Sequence, residues 1–307
     1  MERKISVDDV RKAVDKAYED FKSDRSGAPN PDVQTPDADA LGIVVALTDG
    51  RVIKKGDTAV PSVMGALNKL ALATVLLTQN SPEELVKKHY AGCCCKSKCP
   101  KPQIGISAHG LRMVSAVVPQ GDRDGKMAII SQTLEGLVGS APVLDDKFYE
   151  SLRAAQAAEK AVDKVAEAGY TLYDDTEASL DVLDRLTALQ LTAEQAAAMG
   201  ATIAADGRNP LTGDIVFDGS IAASVVTVTA LGGPHHEKRA FALEVGLPVK
   251  RGRAGLLVAL LPGFGAIATY APRLDDNGVS VKGRKALTQI ARSLGLNIYA
   301  SARVRVE

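Results

Sequence analysis

An α+β fold is predicted for this chain of 307 residues, and three patterns predict it. Valine- and leucine-rich runs near both ends are cut by glycine and proline turns, as antiparallel strands are. The middle of the chain is alanine-rich, with apolar residues at helical spacing. Helical patterns also flank the strand regions. Together these predict one antiparallel sheet built from N- and C-terminal segments, residues 1–65 and 207–307, flanked by helices and interrupted by a mainly helical subdomain at 66–206.

Taken in order, Ser6 and Asp9 form a capping pattern ahead of Val10, Ala13, Val14, Ala17, Tyr18 and Phe21, which share one helical stripe. Residues 24–40 carry Pro29, Pro31 and Pro36 and read as an irregular connection. A hairpin follows at 42–55, with Asp49 and Gly50 both expected at positive φ in its turn. Helices are expected near 66–78, 149–168 and 180–205. The last is broken where Thr192 and Gln195 form a second capping box, and it ends at Gly207. Runs at 224–230, 240–246, 255–261 and 266–270 read as strands, and a closing helix over 284–294 stops at Gly295.

Lysine plus arginine equals aspartate plus glutamate at 37 each, so charge gives no reason to expect a nucleic-acid or membrane partner. The apolar runs at 66–77 and 254–268 are broken by Lys69 and Pro262 and fall short of the roughly 20 residues that span a bilayer. The N-terminus has no apolar signal core, and a cytoplasmic protein is expected.

Four ordered segments resemble the serine-dependent glutaminases, whose fold is that of the serine β-lactamases and penicillin-binding proteins. They are Thr48-Asp49-Gly50-Arg51-Val52 with Val60-Pro61, the stretch from Met199 through Asn209-Pro210 to Gly213, Gly246-Leu247-Pro248-Val249-Lys250-Arg251-Gly252, and Leu274 to Gly283. The resemblance implies a β-lactamase/glutaminase-like fold, self-association into a homo-oligomer, and a small-molecule ligand such as an amino acid or another anion.

It also implies a site. Family members attack the glutamine amide with a serine three residues before a lysine, so that the amine takes the hydroxyl proton. The lysine is Lys69, and the nucleophile position is Ala66. By the same resemblance a substrate-holding asparagine falls on Ser107, next to His109, and a carboxylate that grips the substrate ammonium falls on Leu152. A later asparagine falls on Glu159, the tyrosine of a Tyr-x-x-x-Cys-Ser motif on Asp174, and a tyrosine at the pocket mouth on His235. Lys250 and Gly252 lie on the strand beside the pocket. With the serine and the clamp replaced, the expectation is a degenerate site that does not hydrolyse glutamine by the serine route. The chain would then serve as a binding or regulatory protein, or as an enzyme of altered chemistry.

Two alternatives stand beside it. Cys93, Cys94, Cys95 and Cys99 lie among Lys87, Lys88, Lys96, Lys98 and Lys101, which would favour thiolates. One of these thiols, with His109, His235 or Lys69 as base, could make the chain an active glutaminase-like amide hydrolase. The same four cysteines could instead make a soft-metal or redox site, although their spacing is not that of a zinc knuckle. No other cofactor is expected.

Overall fold

The computed structural model describes residues 2–85, 108–158, 163, 172–231, 235–300 and 303–306. The chain begins with β1 (Glu2–Ile5), α1 (Val7–Phe21) and β2 (Ala28–Pro29). The hairpin β3 (Gly42–Leu47) and β4 (Val52–Gly56) comes next. Then β5 (Ser62–Val63) leads through a 3-10 turn, Gly65–Leu67, into α2 (Asn68–Gln79), followed by α3 (Pro82–Leu85). The middle supplies α4 (Ala108–Ala116), α5 (Arg123–Val138), β6 (Val143–Leu144) and α6 (Asp146–Ala158). It continues with α7 (Thr176–Ala188), β7 (Leu189–Leu191) and α8 (Ala193–Ala204). After these come α9 (Ala222–Leu231), α10 (His235–Glu244), β8 (Val249–Arg251), β9 (Leu256–Leu261) and β10 (Gly265–Tyr270). The last elements are β11 (Arg273–Leu274), α11 (Val281–Leu294) and β12 (Arg303–Val306).

The main sheet runs in the order β4-β3-β10-β9-β8, antiparallel throughout, so strands from both ends of the chain form it. Side chains alternate between its faces, as the pleat requires. Val44, Ala46, Val258, Leu260, Ala266 and Ala268 join the core beneath α2, α5 and α8. Ile43, Val45, Leu47, Leu257, Ala259 and Ile267 join a second core with α1 and α11. Burial on both faces explains why β3, β9 and β10 read as continuous apolar runs rather than alternating ones.

Local signals act as their chemistry dictates. Ser6 with Asp9 and Thr192 with Gln195 both make reciprocal capping boxes, and Gly295 ends α11 in the left-handed conformation. The hairpin turn differs from expectation: Gly50 alone takes positive φ, at +89°, and the Leu47 N–H donates to the Arg51 carbonyl at 2.9 Å. That geometry is a three-residue loop closed by a left-handed glycine, which spares Asp49 an unfavourable conformation.

Two expected strands are corrected. The run at 224–230 lies in helix α9, and the run at 240–246 lies in the last turn of helix α10 and just beyond it. Val225 and Thr229 stack at helical spacing, and the Thr229 hydroxyl donates to the Val225 carbonyl at 2.9 Å, which satisfies a β-branched run inside a helix.

Two glycines set the spacing between layers. A Cβ on Gly200, in α8, would lie 2.5 Å from that of Ala266 on β10 and 2.8 Å from Leu260. Gly65 has φ +53°, and a Cβ there would meet the backbone nitrogen of Arg253 at 2.7 Å. The start of α2 is thereby brought against the end of β8. Among the described residues, no helix is long and apolar enough to cross a membrane.

Candidate active site

A cavity of about 200 Å³ lies where the start of α2 meets β8. Ala66 lines it from the 3-10 turn, with Asn68 and Lys69 from the first turn of α2. Positions 66 and 69 share a helix face because three residues is close to one turn. On β8 lies Lys250, 6% exposed, whose strand register opposite Val258 fixes its direction; Gly252 follows it in the wall. Leu152 and Gln156 of α6, with Leu183, Asp184 and Thr187 of α7, line another part, and Lys238 and Phe241 of α10 contribute as well. The volume is below the roughly 300–1,000 Å³ of drug-sized ligand pockets and suits one small molecule.

The α6–α7 wall is acidic and tightly paired. Arg153 lies 3.2 Å from Asp184 and also pairs with Glu177. Tyr149 donates to Asp181, which Arg185 and Arg123 hold at 3.1 and 3.2 Å. Burial pushes the Asp184 carboxyl up to about 6, although Arg153 pulls it down. Two amide oxygens of residues that line the cavity, Asn68 Oδ1 of α2 and Gln156 Oε1 of α6, are buried with no hydrogen-bond partner among the described residues. Each such orphan costs about 1–3 kcal/mol.

The raised Asp184 value makes stability depend on pH. Between the unfolded value of 3.8 and about 6 the folded state keeps a proton that the unfolded state has lost. Stability therefore falls as pH rises through that window, by about 3 kcal/mol for this group. Urea unfolding of the wild type and of Asp184→Asn should show the wild type losing ground between about pH 4 and about pH 6. A difference that stays flat would contradict the assignment.

Ala66, Lys69, Lys250 and Gly252 all line the cavity. Asp174 does not, and its expected place in the pocket is corrected. Its carboxylate lies 2.5 Å from the buried Lys126 Nζ and accepts the Gly121 N–H at 2.9 Å. Burial raises that carboxyl, but the bonds from Lys126, Gly121 and Asp175 outweigh it and hold it below the ordinary range. The pocket wall is built instead by α7, where Leu183 and Thr187 sit four residues apart. His109 lies on α4 and is not among the cavity-lining residues. His235 opens α10, its side chain outside the described residues. Cys93, Cys94, Cys95, Cys99, Ser107 and Glu159 also lie outside them. Among the described residues, no group of three or more His, Cys, Asp or Glu is placed to hold a metal ion. Sequence reasoning missed Asn68, Gln156, Asp184, Thr187 and Lys238. The available signal was Glu177, Asp181 and Asp184 at helical spacing on one face of α7.

A family model described as Glutaminase matches residues 29–299. A glutaminase of Bacteroides fragilis is 28% identical, covering 100% of this chain and 99% of its own. One of Parabacteroides distasonis is 27% identical with the same coverage. Among solved structures, the probable glutaminase ybaS has a TM-score of 0.86 at 24% identity, covering 97% of this chain and 100% of its own. A probable glutaminase from Bacillus subtilis, complexed with 6-diazo-5-oxo-L-norleucine, has a TM-score of 0.79 at 22% identity, covering 94% and 96%. The fold is thus the β-lactamase-like one that the sequence predicts.

The expectation of a degenerate site, repurposed for binding, regulation or altered chemistry, is overturned by these matches. Likeness over the full length of proteins named glutaminase, with the family model enclosing Ala66, Lys69 and Lys250, favours the amide-hydrolase reading that stood second. The physical reason is that oxyanion stabilisation and substrate binding leave a residual rate enhancement when the nucleophile is lost, so loss of one hydroxyl does not by itself end catalysis.

Proposed function

Because the chain belongs to the glutaminase family, we propose that it hydrolyses the side-chain amide of L-glutamine, or a related amide, to the carboxylate and ammonia. The observation that supports this is a cavity that Lys69, at the start of α2, and Lys250 of β8 both line. Ala66 stands where the family resemblance places the attacking serine, so another group must attack. In this reading that group is water. Lys69, deprotonated, takes a proton from the water as its oxygen bonds to the amide carbon. The negative charge that forms on the carbonyl oxygen is met by the ammonium of Lys250, itself buried. The proton then passes to the amide nitrogen, the C–N bond breaks, ammonia leaves, and the carboxylic acid gives up its remaining proton to become the carboxylate.

The test is ammonia release from L-glutamine by the purified chain, before and after complete alkylation with iodoacetamide. Turnover of about 1 per second or more is expected, and it should survive alkylation. Loss of turnover on alkylation would give the attacking role to a thiol among Cys93, Cys94, Cys95 and Cys99. Absence of ammonia above the buffer background would overturn the hydrolase reading itself.

A further inference from the structure

A second hollow adjoins the cavity. It is a groove of about 860 Å³, lined by the segment from Gly27 to Pro31 and by the turn from Leu274 to Gly278. Arg251 and Arg253, on either side of Gly252, line both hollows. Their surroundings orient them. Arg251 Nη1 donates at 3.1 Å to the carbonyl of Gly278, itself a groove residue. The Arg253 guanidinium lies over the Phe148 ring, 5.6 Å from its centre, where the ring face attracts it. Its paired acid, Asp32, is exposed and stands 3.6 Å from Nη2, beyond hydrogen-bond length. Arg253 Nε is buried with no hydrogen-bond partner among the described residues. A guanidinium that uses so little of its donor fork fits a carboxylate, which accepts two parallel N–H bonds. The acids of the groove do not fill that place. Asp275 accepts the N–H groups of Asn277 and Val279 at 2.9 and 3.0 Å and faces Arg284 at 3.7 Å, and Asp276 is exposed.

We propose that Arg251 and Arg253 form a carboxylate subsite beyond the reacting amide, so that the chain favours amides whose nitrogen carries a carboxylate-bearing substituent, of which γ-glutamyl amino acids are the simplest. Glutamine itself is a zwitterion without net charge, and it leaves the groove empty. A substituent on its amide nitrogen outgrows the cavity of about 200 Å³, and the groove that shares the two arginines gives it room. The chemistry is the hydrolysis already described with a different leaving group. Water bonds to the amide carbon, the C–N bond breaks, and the proton taken from water passes to the nitrogen. The new carboxyl group gives its remaining proton to the released amine, so that the products are glutamate and a free amino acid. The inference deepens the proposed function and rests on it for the acyl half of the substrate, but binding tests it separately.

Calorimetric affinities for γ-L-glutamylglycine and γ-L-glutamylglycinamide, which differ in the charge of one terminal group, measure the subsite whether or not the amide is cleaved. The wild type should prefer the carboxylate by about 10- to 100-fold, the worth of a charge-assisted bidentate contact. Arg253→Met should shrink that preference by roughly 10-fold, and Arg251→Met by roughly 3- to 10-fold. Equal wild-type affinity for the two compounds would overturn the proposal, as would a preference that both variants leave intact. Glutamate release from both compounds and ammonia release from L-glutamine, followed in parallel, separate the two readings. Ammonia release from glutamine with no preference for the carboxylate would sink the subsite and leave the hydrolase reading standing. Preference for the carboxylate in binding, with none of the three amides cleaved, would support the subsite while sinking the hydrolase reading.

Discussion

Lys69→Met should lower ammonia release from L-glutamine by about 10²- to 10⁴-fold, the usual contribution of a positioned general base. The loss should fall on kcat more than on KM, because the amine acts on the attacking water rather than on holding the ligand. Methionine keeps the length and apolar stem of the side chain, so the first turn of α2 stays packed. The companion change, Ala66→Ser, places a hydroxyl one helical turn before Lys69 on the cavity wall. Mass spectrometry of this variant after treatment with 6-diazo-5-oxo-L-norleucine should find the label on residue 66. Kinetics of Lys69→Met that match the wild type would remove the lysine from the mechanism. A labelled protein with residue 66 untouched would show that this helix start is not where the amide carbon lies.

Asp174→Leu should cost about 3–5 kcal/mol of stability, the penalty for stranding a buried charge. Lys126 is 1% exposed, and among the described residues its ammonium reaches, besides Asp174, the Val114 and Ser115 carbonyls at 3.2 and 3.1 Å. The pair ties α5 to the segment that leads into α7. Adding Lys126→Met to Asp174→Leu should restore most of the loss, since well-packed apolar groups replace a buried ion pair at little net cost. Urea unfolding of the single and double variants measures both effects. A single variant within about 1 kcal/mol of the wild type would mean that the ammonium finds other partners.

What the sequence could reveal divides along the range of the interaction. The capping boxes at Ser6 and Thr192, the hairpin around Gly50 and the end of α11 at Gly295 depend on neighbours a few residues away, and each was legible. The helix α9 was not, because Val225, Val226 and Val228 fit a short buried strand as well as a buried helix, and periodicity over so few residues does not separate the two. Lys69, Lys250, Ala66 and Gly252 were found through ordered motifs that resemble a family. Asp174 was misplaced because only the neighbouring Tyr173 pointed to the motif there, whereas the wall itself is the face of α7. Asn68, Gln156 and Asp184 come from three helices, and nothing local in the sequence says that they meet.

The seam at Gly200 leaves α8 and β10 no slack. An inserted methyl would have to be absorbed by a shift of one layer relative to the other. Since α8 shares a core with α2, and β10 reaches β8 through β9, such a shift would alter the gap between the two lysines. A substitution that touches no ligand should therefore register in turnover as well as in melting, making this contact a remote calibrator of the active-site width.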